Sequence, residues 1–186
     1  MKKTMKSVYY VLGGTVVSAI AGYILVGSRI FNLQSQFFHF ILAGFIISLM
    51  WTLKNDIMKI LLKGLILVIL FVIYRTVQEA PFTHMITRDI VYFLMFFVLS
   101  FFHPDIWSRL ILNKPVIRFL GCGLVVSLGY AMTAIILNAI YPTAMATLWE
   151  QMKVNWLYGL TIGMAVSLGF EVIDAVMAGL HVSSSD

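Results

Sequence analysis

The sequence predicts an all-α, polytopic integral membrane protein with six transmembrane helices, and three observations predict it. Hydrophobic residues make up 61% of the chain and charged residues 11%, and the mean hydropathy is +0.95, well to the apolar side of soluble domains. Six continuous apolar runs reach the ~17 to 25 residues that a helix needs to cross a ~30 Å hydrocarbon layer. None of them alternates polar and apolar residues as a ~10-residue barrel strand must, so helices follow rather than a barrel.

The runs fall near 8–28, 37–54, 57–74, 86–102, 117–140 and 157–180. The first follows MKKTMK and contains Ala19-Ile20-Ala21, which resembles a secretory signal with its cleavage site. Because the apolar run continues to Gly27, it is read as the first span. Pro81, Pro104, Pro115 and Pro142 all fall in the connections, so no span loses a backbone N–H to proline. The connections are too short to fold alone, which makes residues 1–186 a single transmembrane domain.

Charge placement predicts the orientation. With the N-terminus cytoplasmic, the inner side collects Lys2, Lys3, Lys6, Lys54, Lys59, Lys63, Arg109, Lys114 and Arg118, and the outer side Arg29, Arg75, Arg88 and Lys153. This asymmetry is that of the positive-inside rule, so both termini are expected in the cytoplasm of a cell with this chain in its inner membrane. The net charge of +5 is spread over three inner loops rather than gathered on one face with stacking aromatics, which excludes a nucleic-acid partner.

Two connections have their own pattern. Residues 142–156, PTAMATLWEQMKVNW, space Met145, Leu148, Trp149, Met152 and Trp156 helically behind Pro142, which predicts a short separate helix lying in the outer interface. Residues 103–115, HPDIWSRLILNKP, read as a similar inner connector anchored by Trp107. Both suit seating in the bilayer; a gate or a docking surface is the alternative.

Glycine carries a packing pattern. GTVVS at 14–18, GFIIS at 44–48, GLVVSLG at 123–129 and GMAVSLG at 163–169 each set a serine four residues after a glycine. That spacing puts both on one helix face, where backbones approach closely and the hydroxyl bonds locally or across. Gly14, Ser18, Gly22, Gly44, Ser48, Gly123 and Gly163 are therefore expected at helix contacts. The repetition also fits an internal duplication relating helices one to three with four to six.

Two acids, Glu171 and Asp174, lie in the sixth run. A carboxylate in hydrocarbon is costly, by a few to more than ten kcal/mol on different scales, so intramembrane acids face a bundle interior or a wet cavity. Glu171 continues the Gly163, Ser167 register in steps of four and Asp174 follows three later, so both share the close-packing face. Asp174 and Lys63 are each six residues from their cytoplasmic helix ends, a depth of ~9 Å, which predicts that they pair; Lys59 and Arg118 are shallower alternatives. Ser167, Ser127 and Tyr130 would line the same polar centre.

Other chemistries lack their residues. His39 and His84 belong to the outer side and His103 and His181 to the inner; no two share a helix at ligand spacing, and Cys122 has no companion thiol, so no metal, haem or other cofactor is expected. No serine stands at nucleophile spacing from a histidine, and no glycine-rich phosphate loop occurs. SLGFEVID resembles an acidic segment of VanZ-like membrane proteins, and FFHF resembles the start of one of their earlier helices. Asp174 stands where that family's pattern has glutamine, and His39 lies much farther from Glu171. Six spans in under 200 residues is also similar in size to the substrate-binding subunits of energy-coupling-factor vitamin transporters. Neither resemblance transfers a residue.

The expectation is a small membrane protein that handles a small solute or ion, as a transporter or the membrane subunit of one, centred on Glu171 and Asp174 with Lys63 opposite. Two alternatives stand beside it. One is a scaffold subunit, or a homo-oligomer, docking another membrane chain through Gly14-Ser18-Gly22 of helix one. The other is an enzyme on a lipid-linked substrate using the acids as general acid or base.

Overall fold

A computed structural model describes residues 3–27, 34–53, 57–77, 85–102 and 115–182. It is all-α, with helices α1 (Lys3–Gly27), α2 (Gln34–Thr52), α3 (Ile57–Val77), α4 (Met85–Leu99), α5 (Pro115–Ile140) and α6 (Met145–Val182). Three helical stretches, Lys6–Leu25, Val116–Ile140 and Met145–Gly179, are long and apolar enough to cross a membrane by length and composition. The inner connector around Trp107, together with His84 and His103, lies outside the described residues; α6 includes His181, whose side chain is not described.

One sequence expectation needs correcting. Residues 142–156 do not form a separate interfacial helix: from Met145 the chain is a single 38-residue helix through the sixth run. No proline interrupts it, and the glycines within it cost only ~1 kcal/mol each in helix propensity, too little to break a helix that packs along one side. Pro142 lies three residues ahead of the helix rather than in its first turn. At ~1.5 Å per residue α6 is ~57 Å long, beyond what a ~30 Å hydrocarbon layer covers. Its first turns accordingly stand clear of the bundle, with Met145 79% exposed. Asn138 Oδ1 fastens the α5–α6 turn, accepting from Thr143 N at 2.9 Å and Thr143 Oγ1 at 2.6 Å.

The packing partners fix the topology. The largest interface joins α5 and α6, followed by α1 with α2 and α1 with α6; α4 lies against α5, and α3 against α4. Contacts run early-against-late in four of these pairs: Lys6 meets Asp174, Gly22 lies by Phe40 and Gly14 by Ser48, Arg118 meets Glu171, and Lys63 meets Ser100; α2 and α4 meet end to end through Trp51 and Leu99 O. The helices therefore alternate up and down, and the start of α1 and the end of α6 share one end of the bundle. Phe40, Ile46, Met50, Trp51, Val126, Tyr130, Ile162 and Val166 fill its core.

Glycine sets how closely four of these helices approach. A Cβ at Gly163 would meet Cys122 C and Gly123 Cα of α5 at 2.9 Å. Gly13 and Gly14, adjacent in sequence, point ~100° apart on α1 and serve two neighbours. Gly14 lies against Ser48 of α2, while Gly13 and Gly169 of α6 abut backbone to backbone. The end of α4 is held differently. The turn after it satisfies its last carbonyls, with Phe101 N donating to Val98 O and Phe102 N to Leu99 O, each at 3.1 Å; Trp51 Nε1 adds a second donor to Leu99 O at 3.0 Å and Lys63 Nζ donates to Ser100 O at 3.1 Å.

Candidate functional site

The six residues expected to form one polar centre occupy three places. At the end of the bundle shared by the start of α1 and the end of α6, Glu171 and Asp174 turn to different neighbours. Arg118 Nη1 of α5 lies 2.8 Å from Glu171 Oε1. Lys6 Nζ of α1 lies 3.2 Å from Asp174 Oδ1, and the Tyr10 hydroxyl donates to the same oxygen. Lys6 also stands over the Tyr10 ring, 5.3 Å from its centroid, and Tyr10 packs on Phe170. Both pairs are partly accessible: the side chains are 24% and 29% exposed for Arg118 and Glu171, and 48% and 39% for Lys6 and Asp174.

The expected Asp174–Lys63 pair is thus replaced by Asp174–Lys6. Depth along a helix is readable from the sequence, but which helices adjoin is not. Here α1 packs on α6, whereas α3 packs on α4, and buried Lys63 is spent on the end of α4, where a cation also meets the negative end of the helix dipole. Arg118, expected only as an alternative partner for Asp174, instead takes Glu171.

One turn inward on α6, Ser167 is buried, as is Cys122 of α5, which packs against Gly163 of α6. Ser127 bonds back to Leu124 O at 2.8 Å, as a lone hydroxyl in a membrane helix commonly does. The Gly14-Ser18-Gly22 stripe is not open to a second chain. It faces α2, where Ser18 Oγ donates to Phe40 O at 2.9 Å and Gly22 abuts the Phe40 ring. Gly44 and Ser48 form the other side of this contact, and Ser48 Oγ is buried without a hydrogen bond among the described residues. Gly123 lies against Met164 and Leu160 of α6.

Tyr130 belongs to a different cluster, ~18 Å along α5 from Arg118. Its hydroxyl lies 2.7 Å from His39 Nε2 of α2. The His39 ring also meets Tyr92 of α4, Tyr130 and Tyr158 of α6 edge-to-face, with centroids 5.9, 5.5 and 5.6 Å away. Tyr92 donates to Asn155 Oδ1 at 3.3 Å, and Arg88 pairs with buried Asp89 at 3.6 Å one turn before Tyr92. Sequence reasoning placed His39 on the outer side and in the FFHF segment but missed this cluster, because its members come from four helices. The one local signal was three residues whose polar tips need partners when buried, Tyr92, Tyr130 and Tyr158.

Fold and site together define a class, an all-α protein whose long apolar helices mark it as a membrane protein. The chain matches no known family model, no curated protein and no solved structure. The short segments similar to VanZ-like proteins, and the likeness in size to vitamin-transporter subunits, therefore assign no family.

Proposed function

We propose that the chain is a six-span protein of the cell's inner membrane, with both termini cytoplasmic, that handles a small solute or ion as a transporter or the membrane subunit of one. The Glu171–Arg118 pair is its polar centre. One observation carries the reading: the pair sits in the apolar α5–α6 seam with the paired oxygen, Glu171 Oε1, buried, yet about a quarter of each side chain stays accessible beside it. A pair sealed from water acts as a lock, because separating it leaves an uncompensated buried charge. A pair at the edge of a seam can be opened by a competing ion or polar solute, which then replaces one partner. Asp174, held by Lys6 and Tyr10, fastens α1 to α6 beside it. The bilayer is the surrounding solvent, and a membrane partner or second copy would meet the face of α1 that carries Leu12, Val16 and Ile20, all exposed.

The test is flux. Wild-type chain and Glu171→Gln are reconstituted into vesicles with imposed gradients of potassium, sodium, chloride, amino acids and sugars. Wild-type protein should move at least one of these faster than empty vesicles, and Glu171→Gln should retain less than about a tenth of that rate, since a ~1.4 kcal/mol loss is tenfold. Wild-type vesicles that match empty ones across the panel would remove the reading; a fully active Glu171→Gln would remove the residue from it.

A further inference from the structure

The His39 cluster has a use independent of the acidic end. One imidazole ties α2 to α4, α5 and α6 at once, through one hydrogen bond and three ring contacts. Every group touching it in those contacts is a neutral phenol. The nearest charged groups on α4 lie one turn before Tyr92, where Arg88 is paired with buried Asp89. Among the described residues Tyr130 meets it from α5 and Tyr158 from α6, with Asn155 engaged by Tyr92; α6's ion pair of Glu150 and Lys153 is exposed. His39 is thus a titratable group packed without an adjoining carboxylate among the described residues.

We propose that His39 is an acid-sensitive catch: when its imidazole gains a proton, the half of the bundle remote from the helix ends bearing Lys6 and Asp174 loosens between α2 and α4. The proton adds to a ring-nitrogen lone pair from water and returns to water when the pH rises. In the closed form Tyr130 donates to unprotonated Nε2. Once that nitrogen carries its own proton, the hydroxyl must turn to accept, and a full charge lies among three aromatic rings. Separation of α2 from α4 admits water to that charge. Because the proton binds the open form better, acid shifts the population toward it. A single site fixes the slope, so the open-to-closed ratio rises at most about tenfold per pH unit.

Spin labels at Phe38→Cys on α2 and Leu94→Cys on α4, both exposed positions, in a Cys122→Ala background in nanodiscs, report the α2–α4 distance between about pH 7.5 and about pH 4.5. A second, longer distance should grow on acidification with a slope near one proton. His39→Gln should abolish the pH dependence, and Glu171→Gln with Asp174→Asn should leave it intact. A distance that does not change with pH, or a His39→Gln protein that responds like wild type, overturns the proposal. Should His39→Gln fail to fold, nitrogen NMR of His39 with the other three histidines changed to glutamine decides. Protonation concurrent with opening supports the catch, and opening with a neutral ring defeats it. None of these readouts depends on solute flux.

Discussion

At the scale of single residues, space and charge give opposite kinds of sensitivity. Gly163 has the α5 backbone against it, with Cys122 C and Gly123 Cα where a Cβ would meet them at 2.9 Å, while Gly179 has nothing within 4 Å. Backbone cannot swing aside as a side-chain tip can. Gly163→Ala should therefore destabilise the bundle by ~1–3 kcal/mol, as overpacking does. Gly179→Ala should be neutral or stabilising by up to ~1 kcal/mol through helix propensity. Unfolding in mixed detergent micelles measures both; equal effects would mean that α5 and α6 are not in this contact. For the charges, Asp174→Asn should cost only ~0–1 kcal/mol because both partners are well exposed. Glu171→Gln should cost more, since Arg118 would remain in the seam without its counter-charge.

At the scale of elements, α4 depends on its neighbours for its last turn. Trp51 and Lys63 come from two different helices and supply donors for Leu99 O and Ser100 O. Removing Lys63 takes a charged donor from the carbonyl of buried Ser100, at ~1–3 kcal/mol, whereas Leu99 O without Trp51 keeps Phe102 N at 3.1 Å. Lys63→Met should raise amide exchange selectively around residues 97–102, leaving α5 and α6 protected, and Trp51→Phe should do so to a smaller extent because Phe102 N still donates to Leu99 O. Uniform exchange changes across the chain would contradict a local cap. The same element shows why one paired assignment failed. Lys63 lies at the depth expected for a partner of Asp174, but α4 stands beside α3 and takes the lysine's charge.

At the scale of the whole molecule, the up-and-down order brings the start of α1 and the end of α6 together and sends the α5–α6 turn to the opposite end. On the proposed arrangement of six spans with cytoplasmic termini, cysteines replacing Ser7 and Gly179 should react with an impermeant maleimide from the cytoplasmic side only, and one replacing Thr143 from the opposite side only. Labelling of Thr143→Cys and Gly179→Cys from the same side would defeat the six-span arrangement.

Much of this was legible in the chain itself. Apolar runs place helices because backbone polar groups in hydrocarbon must pair internally, and the six helices begin and end within a few residues of those runs except where α6 continues back to Met145. Glycine spacing marks close-approach faces for a local reason: residues four apart share a face. What periodicity cannot supply is the neighbour each face meets. Gly14-Ser18-Gly22 looks the same in sequence whether it meets α2 or another chain. Two acids three residues apart look like one centre, yet α1 claims Asp174 and α5 claims Glu171. His39, Tyr92, Tyr130 and Tyr158 carry no shared spacing at all. The sequence by itself determined that this is a helical protein fit for a bilayer, because the cost of exposed backbone and charge in oil is paid residue by residue. Only the tertiary structure decided which side chains meet, because contact between helices depends on their arrangement in the plane of the membrane, a coordinate that linear spacing does not encode.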